Sequence, residues 1–151
     1  MVGLQGAGKS TWVAEHLAAT HAVVSKDHWP RARRREARQR RVVAELLAAG
    51  RSVVVDNTNP SAEERAPLVA AARAAGVPVR AVWLDTPLPT CLARNEAREA
   101  RARVPLVGVL SARARLVPPT AAEGFDRVDV VAAQPARGAA AEPAPGSAPG
   151  E

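Results

Sequence analysis

Gly3-Leu4-Gln5-Gly6-Ala7-Gly8-Lys9-Ser10 fits the pattern G-x-x-x-x-G-K-[ST]. Residues of these types at this spacing suit one task, the cradling of a chain of phosphates. Gly3, Gly6 and Gly8 let the backbone curl, so that the N–H groups of the loop, Ala7 and Thr11 included, turn inward onto phosphate oxygens. A helix opening at Lys9 adds the partial positive charge of its N-terminus. Lys9 is placed to bridge the β- and γ-phosphates, and the Ser10 hydroxyl to hold Mg²⁺. The ligands expected are therefore ATP and Mg²⁺. A glycine-rich turn capping an ordinary helix is the bland alternative, and four fixed positions make it the poorer one.

Other side chains fall where an α/β sheet gathers its chemistry, at the carboxyl ends of strands. Ala22-Val23-Val24 reads as a short strand that ends at Ser25-Lys26-Asp27. Asp27 is a candidate to accept or align the proton of an incoming hydroxyl. A carboxylate is a weak base, but the hydroxyl gives up its proton late in a loose phosphoryl transfer. Asp27 also suits the N-cap of the next helix, and the two roles are compatible. The apolar run Ser52-Val53-Val54-Val55 reads as a buried parallel strand delivering Asp56-Asn57-Thr58-Asn59-Pro60. For Asp56 three readings stay open: orienting the acceptor or an acceptor-side arginine, forming an Asx turn before Asn57, or holding a metal-bound water.

The elements that must position these groups alternate. A helix is expected from Lys9 to Thr20, with Trp12, Val13, His16 and Leu17 at helical spacing. A longer one follows Pro30 and runs to Ala49, closed by Gly50. Its late turns carry an apolar stripe. Its early turns carry Arg31, Arg33, Arg34, Arg35, Arg38, Arg40 and Arg41 on every face, which suits either a solvated helix or a phosphate-gripping one. Ser61 with Glu64 forms a capping box for a third helix ending at Gly76. A strand then runs from Val77 to Asp85, a helix from Leu88 to about Ala102, and another from after Pro105 to about Val117. A last strand covers Arg127–Val131. This βαβ alternation predicts a parallel sheet with helices on both faces. Only Met1 and Val2 precede the loop, where a strand of about five residues is usual. The expectation is thus a truncated first strand, with the true start upstream.

The chain has 151 residues, 47% of them hydrophobic but only 3% aromatic, so one domain with a core of Ala, Val and Leu is expected. Residues 1–132 form that domain in this reading, and 133–151, nearly all Ala, Pro and Gly, a disordered tail. No apolar run is long enough for a membrane span and no signal peptide opens the sequence. The single Cys91 permits no internal disulfide, and a reducing cytoplasm is the default location. A net charge of +6 favours polyanionic partners such as nucleic acid, although an arginine-rich composition alone gives the same number.

Together these residues resemble the polynucleotide 5′-hydroxyl kinase family of P-loop phosphotransferases, from Val2 to about Val131. Gly3 to Thr11 looks like that family's Walker A segment, with Trp12 where an aromatic residue often follows. Ser25-Lys26-Asp27 stands where the family has a basic residue and its catalytic aspartate. Asp56-Asn57-Thr58-Asn59-Pro60 is similar to the motif after its third strand. Ala72 to Pro78 and Ala122-Glu123-Gly124-Phe125 look like segments of its repair-enzyme members. Arg94-Asn95 followed by Arg98 looks like its lid, here about residues 94–105. The resemblance implies a P-loop NTPase fold, a three-layer αβα sandwich with a helical lid. It also implies that Lys9, Asp27 and Arg98 are catalytic, that Arg94 and Arg98 meet the ATP phosphates, and that Arg31, Arg33, Asp56 and Asn57 face the acceptor. The family's acceptor-binding arginine, three positions after the aspartate, is Pro30 here. Arg31 and Arg33 are the nearest substitutes. The implied acceptor is a 5′-hydroxyl end of RNA or DNA. A kinase of a small-molecule hydroxyl and a catalytically weak ATP-binding module are the competing readings.

Overall fold

The computed structural model describes residues 1–132; the expected tail, 133–151, lies outside the described residues. Among the described residues four strands form: β1 (Ala22–Val24), β2 (Val53–Val55), β3 (Arg80–Asp85) and β4 (Arg127–Ala132). β1 pairs with β2 and β3 with β4, both in parallel. Between the two pairs lies the stub that opens the chain. Val2 bridges Trp83 in parallel, donating to the Val82 carbonyl at 2.8 Å and accepting from Leu84 N–H at 2.9 Å. On its other side the Met1 nitrogen donates to Val55 O at 2.9 Å, and Gly3 N–H to Thr58 O at 3.1 Å. The order across the sheet is therefore β1, β2, stub, β3, β4. The first strand is central, and it is a single bridge.

Five α-helices among the described residues flank these strands: α1 (Lys9–His16), α2 (Arg35–Ala48), α3 (Ala62–Ala74), α4 (Leu88–Glu96) and α5 (Leu106–Arg115). Side chains alternate along β3, so Val82 and Leu84 share one face. They join Leu4, Ala7, Cys91 of α4 and Ala112 of α5 in a core cluster. On the other face α2 packs on β1, β2 and α3. There a cavity of about 470 Å³ is lined by Val43 and Leu47 of α2, Leu68 and Ala72 of α3, and Val53 and Ala81 of the strands. The result is the α/β P-loop arrangement expected, helices on both faces of parallel strands.

Several boundaries differ from the sequence reading. β3 begins at Arg80, three residues after the expected Val77. α1 stops at His16, whose ring stacks on Trp12 at 4.5 Å, and Leu17 to Thr20 turn rather than continue. α2 begins at Arg35, not after Pro30. Arg31, Arg33 and Arg34 sit in turns, because that stretch has no apolar face to pack. α4 ends at Glu96, and residues 97–105 form a loop with one 3₁₀ turn, Ala100–Ala102. Among the described residues no helix is long and apolar enough to cross a membrane.

Candidate active site

The loop from Gly3 to Gly8 leaves the stub and turns into α1 with positive φ at Gly3, Gly6 and Gly8. Close approach as well as φ fixes Gly6. A Cβ there would land on the Cys91 carbonyl oxygen of α4. The Ala7 carbonyl is anchored by Thr86 Oγ1 at 3.0 Å and by Arg94 Nη1 at 3.4 Å. Lys9 is 9% exposed, and its ammonium donates to Gly3 O at 2.9 Å and Leu4 O at 2.8 Å. Burial pulls its pKa from 10.5 down to about 8. Arg98 adds to that fall, while Asp56, Cys91 and Asp27 oppose it. Lys9 is thus a cation with few counter-charges, held inside an arc of backbone. The Cys91 thiol is buried and pushed up by desolvation, with Lys9 and Arg94 opposing.

At the loop's exit Ser10 Oγ donates to Asp56 Oδ2 at 2.6 Å. A hydroxyl and a carboxylate side by side at the end of α1 are hard oxygen donors, the type Mg²⁺ takes with its remaining waters and phosphate oxygens. Among the described residues no cluster of three or more His, Cys, Asp and Glu exists to hold a metal in an all-protein cage. The donor set at Ser10 and Asp56 therefore fits a metal that arrives with a nucleotide. Thr11 is exposed beside them.

Asp27 is exposed in a 3₁₀ turn, Lys26–His28, directly after β1. Its backbone N–H is held by Ser25 Oγ at 3.3 Å, so Ser25 caps the turn and Asp27 does not. Lys26 faces away, in an ion pair with Glu36 at 2.5 Å. Arg31 and Arg33 are exposed in the stretch that follows, and Arg38 lies over the Trp29 ring at 5.0 Å. α4 brings Arg94 to the Ala7 carbonyl, and the loop after α4 carries Arg98, whose charge acts on Lys9. Asp27, Asp56 and Arg98 thus all act on the Lys9 charge.

Asn57, expected on the acceptor side, is instead tied inward. Its Oδ1 accepts from Lys26 N–H at 3.0 Å and its Nδ2 donates to the buried Gln39 at 2.6 Å. Asn59, with φ of 42°, donates to Met1 O at 2.9 Å. The Asp-Asn-Thr-Asn-Pro segment is largely a fastening, with Asp56 its one side chain on the loop.

Behind it sits Arg65, 2% exposed, which the sequence reading passed over. It makes a two-pronged ion pair with Glu123, both contacts at 2.7 Å. It also donates to the carbonyls of Asn59, Pro60 and Val117 at 3.0–3.1 Å. Glu123 in turn accepts from Thr120 N–H at 3.0 Å. The spacing Thr120-x-x-Glu123 was the available signal, since it is that of a capping box. Asn95, quoted above only as part of the lid motif, has a structural role that the motif did not give. It is 2% exposed and bonds both polar atoms of Val104.

A glycine loop feeding a helix N-terminus, a buried lysine within it and parallel strands on either side define an α/β P-loop fold. Residues 1–119 match the model of the AAA domain family, and the chain belongs to that family. It is also similar to the APS kinase of Mycobacterium tuberculosis solved in complex with AMPPNP and APS. The two are 24% identical with a TM-score of 0.48, over 68% of this chain and 69% of that one.

Proposed function

We propose that the chain is an ATP-dependent phosphotransferase moving the γ-phosphate to a hydroxyl, and that its acceptor is the 5′-hydroxyl end of RNA or DNA. The observation that carries the acceptor is the exposed run Arg31, Arg33, Arg34 and Arg35 just beyond Asp27. None of the four has an ion-pair partner among the described residues. Cations left open beside a candidate base suit a polyanionic acceptor gripped through its phosphates, with a steep salt dependence. Only Trp29 stands nearby to stack a base, and Arg38 already lies over it.

In this reading the amides of Gly6 to Ser10 and the Lys9 ammonium hold the triphosphate. Lys9 exchanges the carbonyls of Gly3 and Leu4 for β- and γ-phosphate oxygens. Ser10 and Asp56 would hold Mg²⁺, which when bound neutralises charge on those phosphates. The acceptor oxygen forms its bond to the γ-phosphorus as the bond to the β-phosphate oxygen breaks, and the hydroxyl proton passes to Asp27. Arg98, reaching from the lid, balances charge on the moving phosphoryl group. Arg94 holds the loop at Ala7 and supports the same charge.

The test offers labelled ATP and Mg²⁺ with a 5′-hydroxyl oligoribonucleotide, a 5′-hydroxyl oligodeoxyribonucleotide and small alcohols. Labelling of an oligonucleotide is expected, falling about 10²- to 10⁴-fold in Asp27→Asn. Label on small alcohols alone refutes the acceptor, and full activity in Asp27→Asn refutes the base.

A further inference from the structure

The lid loop is fastened before any ligand arrives. Asn95, in the last turn of α4, donates from Nδ2 to Val104 O at 2.7 Å and accepts Val104 N–H on Oδ1 at 3.0 Å. Its carboxamide therefore imitates a strand partner and closes residues 96–103 into a loop at their base. Inside the loop Arg103 donates to Glu96 O at 2.6 Å and to Arg98 O at 3.3 Å, and pairs with the Glu96 carboxylate at 3.2 Å. Arg98 N–H bonds Asn95 O at 3.2 Å. The main chain of Arg98 is thus held at both its N–H and its C=O, while its side chain is exposed and its charge bears on Lys9.

We infer that Asn95 is the positioning residue of the lid, acting through Arg98 by fixing the loop that carries it. The inference rests on the reading that Arg98 meets the transferred phosphoryl group. A long arginine on a free loop must be ordered at each turnover, and that ordering opposes reaction. Here the ordering is built in, at the cost of a buried amide that satisfies only the two polar atoms of Val104. Substituting Asn95 leaves those part-buried atoms without their partner, so the base of the loop opens. Neither bond touches the glycine loop or α1, so nucleotide contacts made there survive.

The test uses the full chain in four forms: wild type, Asn95→Ala, Arg98→Ala and the double variant. Phosphate transfer to water or acceptor is followed, with trypsin cleavage after Arg98, Arg101 and Arg103 read on the resting protein. Asn95→Ala is expected to lower kcat about 10²-fold, the scale of a small displacement of a reacting group. KM for ATP should stay within about twofold, because the loop and Lys9 remain. In the Arg98→Ala background the same substitution should add less than about threefold, the mark of one shared action. Trypsin should cut the lid several-fold faster in Asn95→Ala.

Equal kcat losses in both backgrounds overturn the inference, as does an unchanged cleavage rate. Asn95→Asp keeps the volume and the bond from Val104 N–H but sets an acceptor against Val104 O. It serves if the alanine form does not fold, with the same direction expected in kcat and in cleavage. If wild type transfers phosphate to nothing, the proposed function fails. Cleavage alone then decides whether Asn95 holds the loop.

Discussion

Raising the pH from about 7 to about 9 is expected to weaken nucleotide binding about tenfold through Lys9 alone. In the unliganded protein burial holds its pKa at about 8, against 10.5 for an exposed lysine. A bound triphosphate restores the ammonium, so binding above pH 8 must draw in a proton. With the bound value back near 10.5, affinity is level below about 8 and falls about one decade per unit above it. The fall at pH 9 is about 1.4 kcal/mol. Stability of the unliganded chain moves the other way. Its folded pKa is lowered, so between about 8 and 10.5 the unfolded chain holds a proton that the folded chain has lost. The Lys9 penalty, about 3 kcal/mol at neutral pH, is therefore relieved as pH rises through that window. The assay is calorimetric titration with Mg²⁺ and a non-hydrolysable ATP analogue, in buffers of differing ionisation heat. It should show close to one proton taken up per nucleotide at pH 9 and almost none at pH 7. Lys9→Met should bind weakly and without this slope. A level affinity in wild type, or an equal fall in Lys9→Met, refutes the reasoning.

Arg65→Ala should cost about 3 kcal/mol in denaturant melts, because the carbonyls of Asn59, Pro60 and Val117 lose a buried donor and the half-buried Glu123 carboxylate its partner. Glu123 is held below its ordinary pKa, first by the Arg65 hydrogen bond. Its contribution is present above about pH 4.5 and disappears as pH falls through the lowered value, so Glu123→Gln should flatten the acid limb of the stability curve. Gly6→Ala, with a Cβ driven onto the Cys91 carbonyl at φ of +80°, should abolish nucleotide binding in the same calorimetric assay. Retained affinity would mean the loop does not need that contact.

The strand-loop-helix core was legible because its signals are local: the glycine spacing, the apolar run Ser52–Val55, the Gly50 and Gly76 stops. The place of Asp27 just past a strand was legible for the same reason, since a short apolar run ends before it. The second half of the site was not. Asn57 looks like a site residue by type, yet its partners are Lys26 and Gln39, 31 and 18 residues away, and no periodicity announces a pairing over that span. Arg65 sits among the polar residues of an unremarkable helix and is buried by a segment 58 residues on. The start of α2 was overread because arginine favours helices intrinsically, whereas a helix that buries no face has little to hold it. Asp56 had three open roles. Its contact with Ser10 spans 46 residues, and folding alone sets it.

Met1 to Gly3 do two jobs with six backbone groups. They begin the phosphate loop, and they are the main-chain seam between the pair that carries Asp27 and the pair that carries Asp85, Thr86 and the lid. A force that tilts one pair against the other is therefore delivered to Gly3 directly, with no side-chain relay. A load on the arginine-rich stretch is thereby in mechanical touch with the curvature of the glycine loop.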